Sequence, residues 1–235
     1  RDCLLSRGLG DVYKRQNMMR KYDFLPADLG ETIEVGKKDF DAATETMTTI
    51  IPLLYQSGYV TIKGYDKPTK LYQLALPNQE IRVGLYGSLL PHYLTDKSAK
   101  ANTTIAKMSV LVKKGDMDAA FCLLNDFLET VPYCDNTNYE GHWQQTLYIM
   151  FALLTNYSIH VEPHTAKGRI DITMETADTI YVMELKFNKS AEEALAQIEA
   201  KHYVDAFKMS GKKVVKIGLN FSVKDEVNCL EWKIG

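Results

Sequence analysis

Two stretches decide how this chain folds: Gly168-Arg169-Ile170-Asp171 and Thr179-Ile-Tyr-Val-Met-Glu-Leu-Lys-Phe187. Asp171 lies inside the apolar run 169–174, and Glu184 and Lys186 lie inside the apolar run 179–187. Side chains alternate between the two faces of a β-strand, so Glu184 and Lys186 share one face. Burying a charge is costly unless it is paired. The pattern therefore predicts two strands whose charged residues meet in the middle of a sheet.

These three charged residues have two possible roles. Two carboxylates and an ammonium that converge in a sheet favour a site for a divalent cation, because Mg²⁺ prefers oxygen ligands. The alternative is a structural ladder of ion pairs among Asp171, Glu184 and Lys186. We favour the metal site and keep the ladder as the competing interpretation.

Composition sets limits on the class of protein. The chain has 235 residues, 46% hydrophobic and 25% charged, with a net charge of −2, which is typical of one or two small globular domains. Such a charge gives no overall basic field, so local Lys and Arg residues must hold any polyanion. No apolar stretch approaches the roughly 20 residues of a membrane span. The cysteines Cys3, Cys122, Cys134 and Cys229 form no CxxC pair, which favours reduced thiols in a cytoplasmic protein.

The first sixteen residues, 1–16, are predicted to be a foreign leader. They contain three of the six arginines and show no amphipathic period. They are similar to peptides translated from sequencing-adaptor DNA. A secretory signal is the alternative, but its apolar centre is only Leu4-Leu5. We exclude this segment from the fold and expect the open reading frame to extend upstream, so that the chain is the C-terminal part of a longer protein.

Residues 17–97 have a mixed pattern. Helical spacing around residues 47–54 is interrupted by Pro52, which must kink or restart the helix. Residues 59–63 and 69–76 alternate like two strands, joined by a turn at 64–68. A helix followed by a hairpin is typical of a winged-helix element that docks DNA or another domain. A small structural subdomain is the alternative, which we favour because a basic recognition helix is lacking.

The rest of the chain divides into a helical linker and a C-terminal domain. Residues 98–133 predict two helices separated at Gly115-Asp116. Residues 134–235 predict a helix around Trp143–Leu153 and a second helix that begins at the capping box Ser190–Glu193 and ends near Met209. Strands are predicted at 158–162, 169–174, 179–187, 213–221 and 227–234. The fold class is mixed α/β (α+β), in the order α-β-β-β-α-β with one extra strand.

That order and its charged residues resemble the PD-(D/E)xK nuclease superfamily. Within it, the chain is similar to the C-terminal nuclease domain of bacterial AAA-ATPase-like proteins from about Thr49 onward. The matching segments are Leu54–Ile62, Pro77-Asn78, Gly168–Asp171, Glu184–Lys186, Gln197-Ile198 through Tyr203, and Gly218–Phe221. The resemblance implies a restriction-endonuclease-like core and an upstream P-loop ATPase module. No GxxxxGK[ST] motif occurs in this chain.

The ExK pattern is not specific by itself. It occurs at Glu184–Lys186, Glu199–Lys201 and Glu231–Lys233. The second copy lies on a predicted helix, where residues two apart do not face together. The third lies on a strand without an acidic strand before it at hairpin distance. The first copy alone combines a strand, the spacing and an acidic partner.

The resemblance also implies roles for individual residues. Asp171, Glu184 and the backbone carbonyl of Leu185 would bind Mg²⁺ or Mn²⁺. Lys186 would hold the attacking water or stabilise charge on the phosphate. Glu140 matches an acidic residue that often completes the metal shell, and a favourable charge at a helix N-terminus explains it equally well.

Three further residues, Gln197, Lys201 and Tyr203, match polar positions that the superfamily has on the helix after the ExK strand, and Arg169 lies beside Asp171. Gln197 and Lys201 lie one helical turn apart, so both are expected to reach the phosphate backbone. Related exonucleases place a tyrosine four residues after the glutamine, whereas here Tyr203 comes two positions later. Arg169 is expected to clamp phosphate or to neutralise the carboxylates.

A rival constellation is His160-Val-Glu162-Pro-His164. On a strand its three polar residues share a face, and two imidazoles with a carboxylate are able to bind zinc. The alternative, which we favour, is a solvated edge strand that ends at Pro163.

Two functions from different classes follow. The first is a Mg²⁺-dependent nuclease that hydrolyses phosphodiester bonds in nucleic acid, with DNA the favoured substrate. The second is a non-catalytic module that docks DNA or a protein for an ATPase partner. The intact set of Asp171, Glu184 and Lys186 favours the first.

Overall fold

A computed structural model describes residues 26–30, 32–40, 49–94, 97–131, 139–157, 159–166, 169–201, 203–207 and 209–235. The chain forms two compact units, with the boundary between His92 and Tyr93. The predicted leader, residues 1–16, lies outside the described residues. So do Met47, His202 and the segment 132–138.

The first unit contains a small antiparallel sheet and helices. Its strands β1 (Ile33–Val35), β2 (Thr61–Asp66) and β3 (Leu71–Ala75) pair in the order β1-β3-β2. Its helices are α1 (Lys37–Phe40), α2 (Ile51–Gln56) and α3 (Gln79–Leu94), of which the last two residues, Tyr93 and Leu94, are assigned to the second unit. Pro52 lies in the first turn of α2, where its missing N–H costs no hydrogen bond. The helix that contains Pro52 begins at Ile51, and residues 41–48, which the prediction places before it, lie outside the described residues.

The predicted turn of the β2–β3 hairpin was wrong by about three residues. Gly64, Tyr65 and Asp66 belong to β2, with an irregular register between Ile62 and Gly64. The chain turns at residues 67–70 instead. There the hydroxyl of Thr69 donates to Oδ2 of Asp66 at 2.6 Å. This side-chain bond stabilises the turn at the later position.

Helix α3 and strand β1 were not predicted from the sequence. Helix α3 contains Gly84, Gly87 and Pro91, all of which are poor helix formers. It is held by its buried residues Leu85, Tyr86, Leu89 and Leu90. Tertiary burial here outweighs local propensity.

Three helices open the second unit: α4 (Ser98–Lys114), α5 (Met117–Glu129) and α6 (Tyr139–Leu153). The predicted break at Gly115-Asp116 is confirmed. Gly115 ends α4 in the left-handed conformation at φ 79°, and the side chain of Asp116 caps α5 by accepting from the N–H of Ala119 at 3.1 Å. Helices α4 and α5 fall in the same compact unit as the C-terminal sheet.

A five-stranded sheet forms the centre of the second unit. Its strands are β4 (His160–Ala166), β5 (Arg169–Glu175), β6 (Thr179–Phe187), β7 (Lys213–Lys224) and β8 (Val227–Ile234), paired in this order. Strands β6 and β7 are parallel, and the other pairs are antiparallel. The bounds predicted for β6 and β8 are confirmed. Strand β4 continues through Pro163 instead of ending there, because an edge strand tolerates the missing N–H.

Helix α7 (Ala191–Ala200) crosses from β6 to β7 and is shorter than predicted. Ser190 caps it as expected, with its hydroxyl accepting from the N–H of Glu193 at 3.0 Å. A 3₁₀ turn, Tyr203–Phe207, follows in place of the helix predicted to reach Met209. Its Val204 and Phe207 pack against Ile180, Val182 and Ile198. This apolar contact explains why the chain leaves the helical path.

Helices cover both faces of this sheet. On one face α7 packs over β6, β7 and β8. On the other face Trp143 of α6 stacks on Phe221 of β7, with ring centroids 5.1 Å apart. Both cysteines in the described part, Cys122 and Cys229, are free thiols. None of the helices in the described ranges is long and apolar enough to cross a bilayer.

Gly218 on β7 permits the close approach of α7 to the sheet. A Cβ at this position would lie 2.0 Å from the carbonyl oxygen of Ala191 and 2.6 Å from the backbone nitrogen of Leu195. Both neighbours are backbone atoms, so they cannot rotate away. A side chain of any size at position 218 therefore requires α7 to move.

We predict that Gly218→Ala lowers the free energy of unfolding by about 1–3 kcal/mol, the usual cost of overpacking. Both tryptophans, Trp143 and Trp232, lie in the second unit, so tryptophan fluorescence during urea denaturation reports its unfolding. Gly84→Ala is the control, because a Cβ there meets nothing within 4 Å and lies in the other unit. An unchanged midpoint for Gly218→Ala would contradict this packing.

Candidate metal and phosphodiester site

The register of the sheet brings the predicted acidic positions together. Position 171 on β5 lies directly opposite Glu184 on β6, and Gly218 of β7 follows on the other side of Glu184. Opposite positions on paired antiparallel strands share a face, with Cβ atoms about 4.5–5.5 Å apart. Asp171 and Glu184 are therefore neighbours on the face that α7 partly covers.

Glu184 and Lys186 form a buried ion pair. The Nζ of Lys186 lies 2.7 Å from Oε1 of Glu184. Glu184 is 0% exposed and Lys186 only 8% exposed. Leu185 between them belongs to the opposite face and is also buried. The predicted alternation of charged and apolar residues on β6 is confirmed.

Gln197 completes the surroundings of Lys186. Its Oε1 accepts a hydrogen bond from the Nζ of Lys186, across from α7 to β6. A buried ammonium with two oxygen acceptors is far less costly than an isolated one. Gln197, predicted as a phosphate contact, thus lies against the lysine of the ExK motif.

The other predicted site residues differ in how much the structure describes. Lys201 ends α7 and is exposed. The side chains of Glu140, Arg169, Asp171 and Tyr203 lie outside the described part. Their backbones place Glu140 in the first turn of α6, Arg169 at the start of β5 and Tyr203 at the start of the 3₁₀ turn.

The two other ExK copies make surface ion pairs. Glu199 pairs with Lys216 at 2.7 Å, and this hydrogen bond lowers the pKa of the exposed carboxyl. Lys233 pairs with Glu192 at 3.1 Å. Glu231 is bonded by Lys224, and that hydrogen bond lowers the pKa of Glu231. Neither copy has the buried lysine that distinguishes Glu184–Lys186.

Asn220 was not predicted as a site residue. It lies beside Lys186 in the register of β6 and β7 and is 1% exposed. Its Oδ1 accepts from the N–H of Lys189 at 2.9 Å, and its Nδ2 donates to the carbonyl of Lys189 at 3.0 Å and to Oε2 of Glu231 at 3.3 Å. Asn220 therefore holds the connection from β6 to α7 and, through α7, the position of Gln197. The signal in the sequence was an amide inside the apolar run of β7, since a buried amide must be hydrogen-bonded.

The donor set at this place fits a hard divalent cation. Two carboxylate residues occupy neighbouring positions on one face, and oxygen is the ligand that Mg²⁺ prefers. Among the side chains that the structure describes, no group of three His, Cys, Asp or Glu residues is assembled for a metal. The side chains of Asp171 and Glu140 are not among the described ones. The fit thus rests on the register and on the chemistry of the residues.

We predict that Asn220→Ala lowers the free energy of unfolding by about 1–3 kcal/mol, because it leaves buried polar groups unsatisfied. Lys189→Ala is the matched control. The bonds to Asn220 come from the backbone of Lys189, so removing its exposed side chain should change stability by less than about 0.5 kcal/mol. Urea denaturation followed by tryptophan fluorescence measures both. Equal effects of the two substitutions would contradict the role assigned to Asn220.

A family model and a curated protein each match part of this chain. Residues 138–232 match the family model of the PD-(D/E)XK nuclease superfamily. This segment includes Asp171, Glu184, Lys186 and Gln197. The chain is also 29% identical over 179 residues to a protein described as "Uncharacterized protein in vnfD 5′region" from Azotobacter chroococcum mcd 1. The match covers 72% of this chain and 34% of that protein, so the chain spans about a third of the length of this curated relative.

Proposed function

We propose that the second unit is a Mg²⁺-dependent nuclease that hydrolyses phosphodiester bonds in nucleic acid. One observation carries the proposal: the ammonium of Lys186 is buried and held between Glu184 and Gln197, next to the carboxylate position 171. This differs from an ion pair at the protein surface, which forms without burial of the lysine and typically contributes little to stability. The match of residues 138–232 to a nuclease superfamily supports the same reaction.

Asp171, Glu184, the backbone carbonyl of Leu185 and Glu140 are the residues proposed to hold the cation. A bound divalent cation polarises the phosphate and makes a water molecule easier to deprotonate. Both carboxylates remain charged in this role, because the positive charge beside them favours the ionised form. Mn²⁺ is expected to replace Mg²⁺, since carboxylate oxygens suit both.

Lys186 is proposed to act on the water and the phosphate. An ammonium has three N–H donors, of which Glu184 and Gln197 accept two. In the proposed role, the third N–H of Lys186 donates to the attacking water or to a phosphate oxygen. Because Glu184 and Gln197 fix the ammonium beforehand, little reorganisation is needed as charge develops on the phosphate.

Substrate binding is proposed to depend on Arg169, Gln197, Lys201 and Tyr203. The net charge of −2 means that these residues, rather than a general basic field, must attract the polyanion. Gln197 contributes by positioning Lys186 as well as by any contact with the substrate. DNA is the proposed substrate.

We further propose that an ATPase module accompanies this region in the full-length protein. The resemblance of residues from about Thr49 onward to AAA-ATPase-like proteins supports this. The competing function is a non-catalytic docking module. The exposed apolar side chains of Ile62 and Tyr65, on the edge strand β2 of the first unit, favour this alternative.

Cleavage assays with labelled single-stranded and double-stranded DNA, with and without Mg²⁺ or Mn²⁺, test the proposal. We expect cleavage that depends on the cation and that EDTA abolishes. Binding of DNA without cleavage under all these conditions would favour the docking module. RNA in a parallel assay tests the choice of substrate.

We predict that Asp171→Asn and Glu184→Gln each strongly weaken the binding of Mn²⁺, because each removes a charge from the cation site and nearly conserves shape. Isothermal titration calorimetry on the full chain measures the affinity. Glu199→Gln is the control, since this exposed glutamate pairs with Lys216 away from the site. If all three variants bind Mn²⁺ like the parent, Asp171 and Glu184 belong to a structural ladder.

We predict that Lys186→Ala retains Mn²⁺ binding but loses cleavage by roughly 10²–10³, the usual cost of one preorganised contact to developing charge. A lysine contributes no ligand to a cation, so the affinity for Mn²⁺ should be unchanged or slightly higher. Lys233→Ala removes the lysine of a surface ExK copy and should leave cleavage intact. Cleavage by Lys186→Ala near the parent rate would refute the role of Lys186.

A further inference from the structure

The register of β4 brings a histidine to the candidate cation site. His164 lies directly opposite Asp171, which in turn lies opposite Glu184. The three positions form one row across β4, β5 and β6 on a single face of the sheet. Neighbouring strands are about 4.8 Å apart, so position 164 is the neighbour of the carboxylate pair on the side away from β7.

Position 164 lies at the β4 end of this row, and the principal contacts of helix α7 lie at the β6 end. Helix α7 packs chiefly over β6, β7 and β8 on this face. Strand β4 is an edge strand of the sheet. Position 164 therefore lies beside Asp171 at the edge of the sheet, whereas Lys186 is bonded to Gln197 of α7.

We propose that His164 is an additional ligand of the divalent cation held by Asp171 and Glu184. The inference deepens the proposed function and rests on it. A neutral imidazole nitrogen is a good ligand for first-row transition metals, whereas carboxylates also suit Mg²⁺. A site with one imidazole and two carboxylates binds Mn²⁺ and Co²⁺ in preference to Mg²⁺.

The other histidine of β4 does not belong to this row. His160 lies opposite Glu175, whose carboxylate pairs with Lys212 at 2.8 Å. His160 and His164 are four residues apart on the same strand and face, or about 13 Å at roughly 3.3 Å per residue. The zinc site composed of His160, Glu162 and His164 is thus less favoured than a cation shared between His164 and the two carboxylates. His160 supplies a matched control.

Pulsed electron paramagnetic resonance of bound Mn²⁺ tests this assignment without any measurement of activity. With one equivalent of Mn²⁺, the 235-residue chain is expected to show modulation of the electron spin echo by a coordinated ¹⁴N nucleus. His164→Ala and the closer isostere His164→Asn should lose this modulation, and His160→Ala should keep it. Tryptophan fluorescence confirms that each variant is folded.

Metal affinities give a second measurement. Loss of even a group that only supports a ligand costs about 10–100-fold in affinity, so His164→Ala should weaken Co²⁺ binding at least about tenfold. The change for Mg²⁺ should be smaller, because imidazole is a poorer ligand for that ion.

The outcomes separate this inference from the proposed function. Binding of Mn²⁺ that depends on Asp171 and Glu184, but shows no ¹⁴N modulation in the parent, overturns the role of His164 and leaves the nuclease proposal intact. Modulation that persists in His164→Ala overturns it as well. Absence of any Mn²⁺ binding that depends on the two carboxylates overturns both.

Discussion

The candidate site depends on one buried interaction, the hydrogen-bonded ion pair between Lys186 and Glu184 on β6. Both residues are almost fully withdrawn from solvent. Charges in such a place are costly, and a well-packed apolar pair is often as stable. The buried ammonium of Lys186, bonded also to Gln197, is therefore held in one position at a cost in folding free energy. The proposed hydrolysis of phosphodiester bonds would give a physical reason for that cost, because preorganised charge is most effective away from water.

The surrounding scaffold keeps this interaction in place. Gly218 lets the backbone of α7 approach β7, and Asn220 holds the connection between β6 and α7 through both backbone groups of Lys189. Helix α7 in turn carries Gln197 to Lys186. Gly218 and Asn220 therefore act on the site through the position of helix α7. This dependence explains how two residues of β7 matter to charges on β6.

Much of this arrangement could be predicted from the alternation of residues. In 179–187, period-two alternation correctly gave the strand, the shared face of Glu184 and Lys186, and the buried face of Leu185. The capping box gave the start of α7. The predicted end of α7 was wrong because Val204 and Phe207 pack against a buried cluster that includes Ile180 of the sheet. No local sequence pattern encodes this contact. Helix α3 was missed for a related reason, since Gly84, Gly87 and Pro91 oppose a helix that burial nevertheless stabilises. The role of Gly218 depends on a helix 23 to 27 residues earlier in sequence, at Ala191 and Leu195, and so is visible only in three dimensions.

We propose that a divalent cation binds between Asp171 and Glu184 beside the ammonium of Lys186. Anomalous diffraction from crystals of the full chain grown with Mn²⁺ tests this most directly. The account predicts a manganese peak within ligand distance of both carboxylates, with the Nζ of Lys186 near but not bound to the ion. The absence of a peak at this place under saturating Mn²⁺, with Lys186 still bonded to Glu184, would contradict the account and identify the charged residues as a structural ladder.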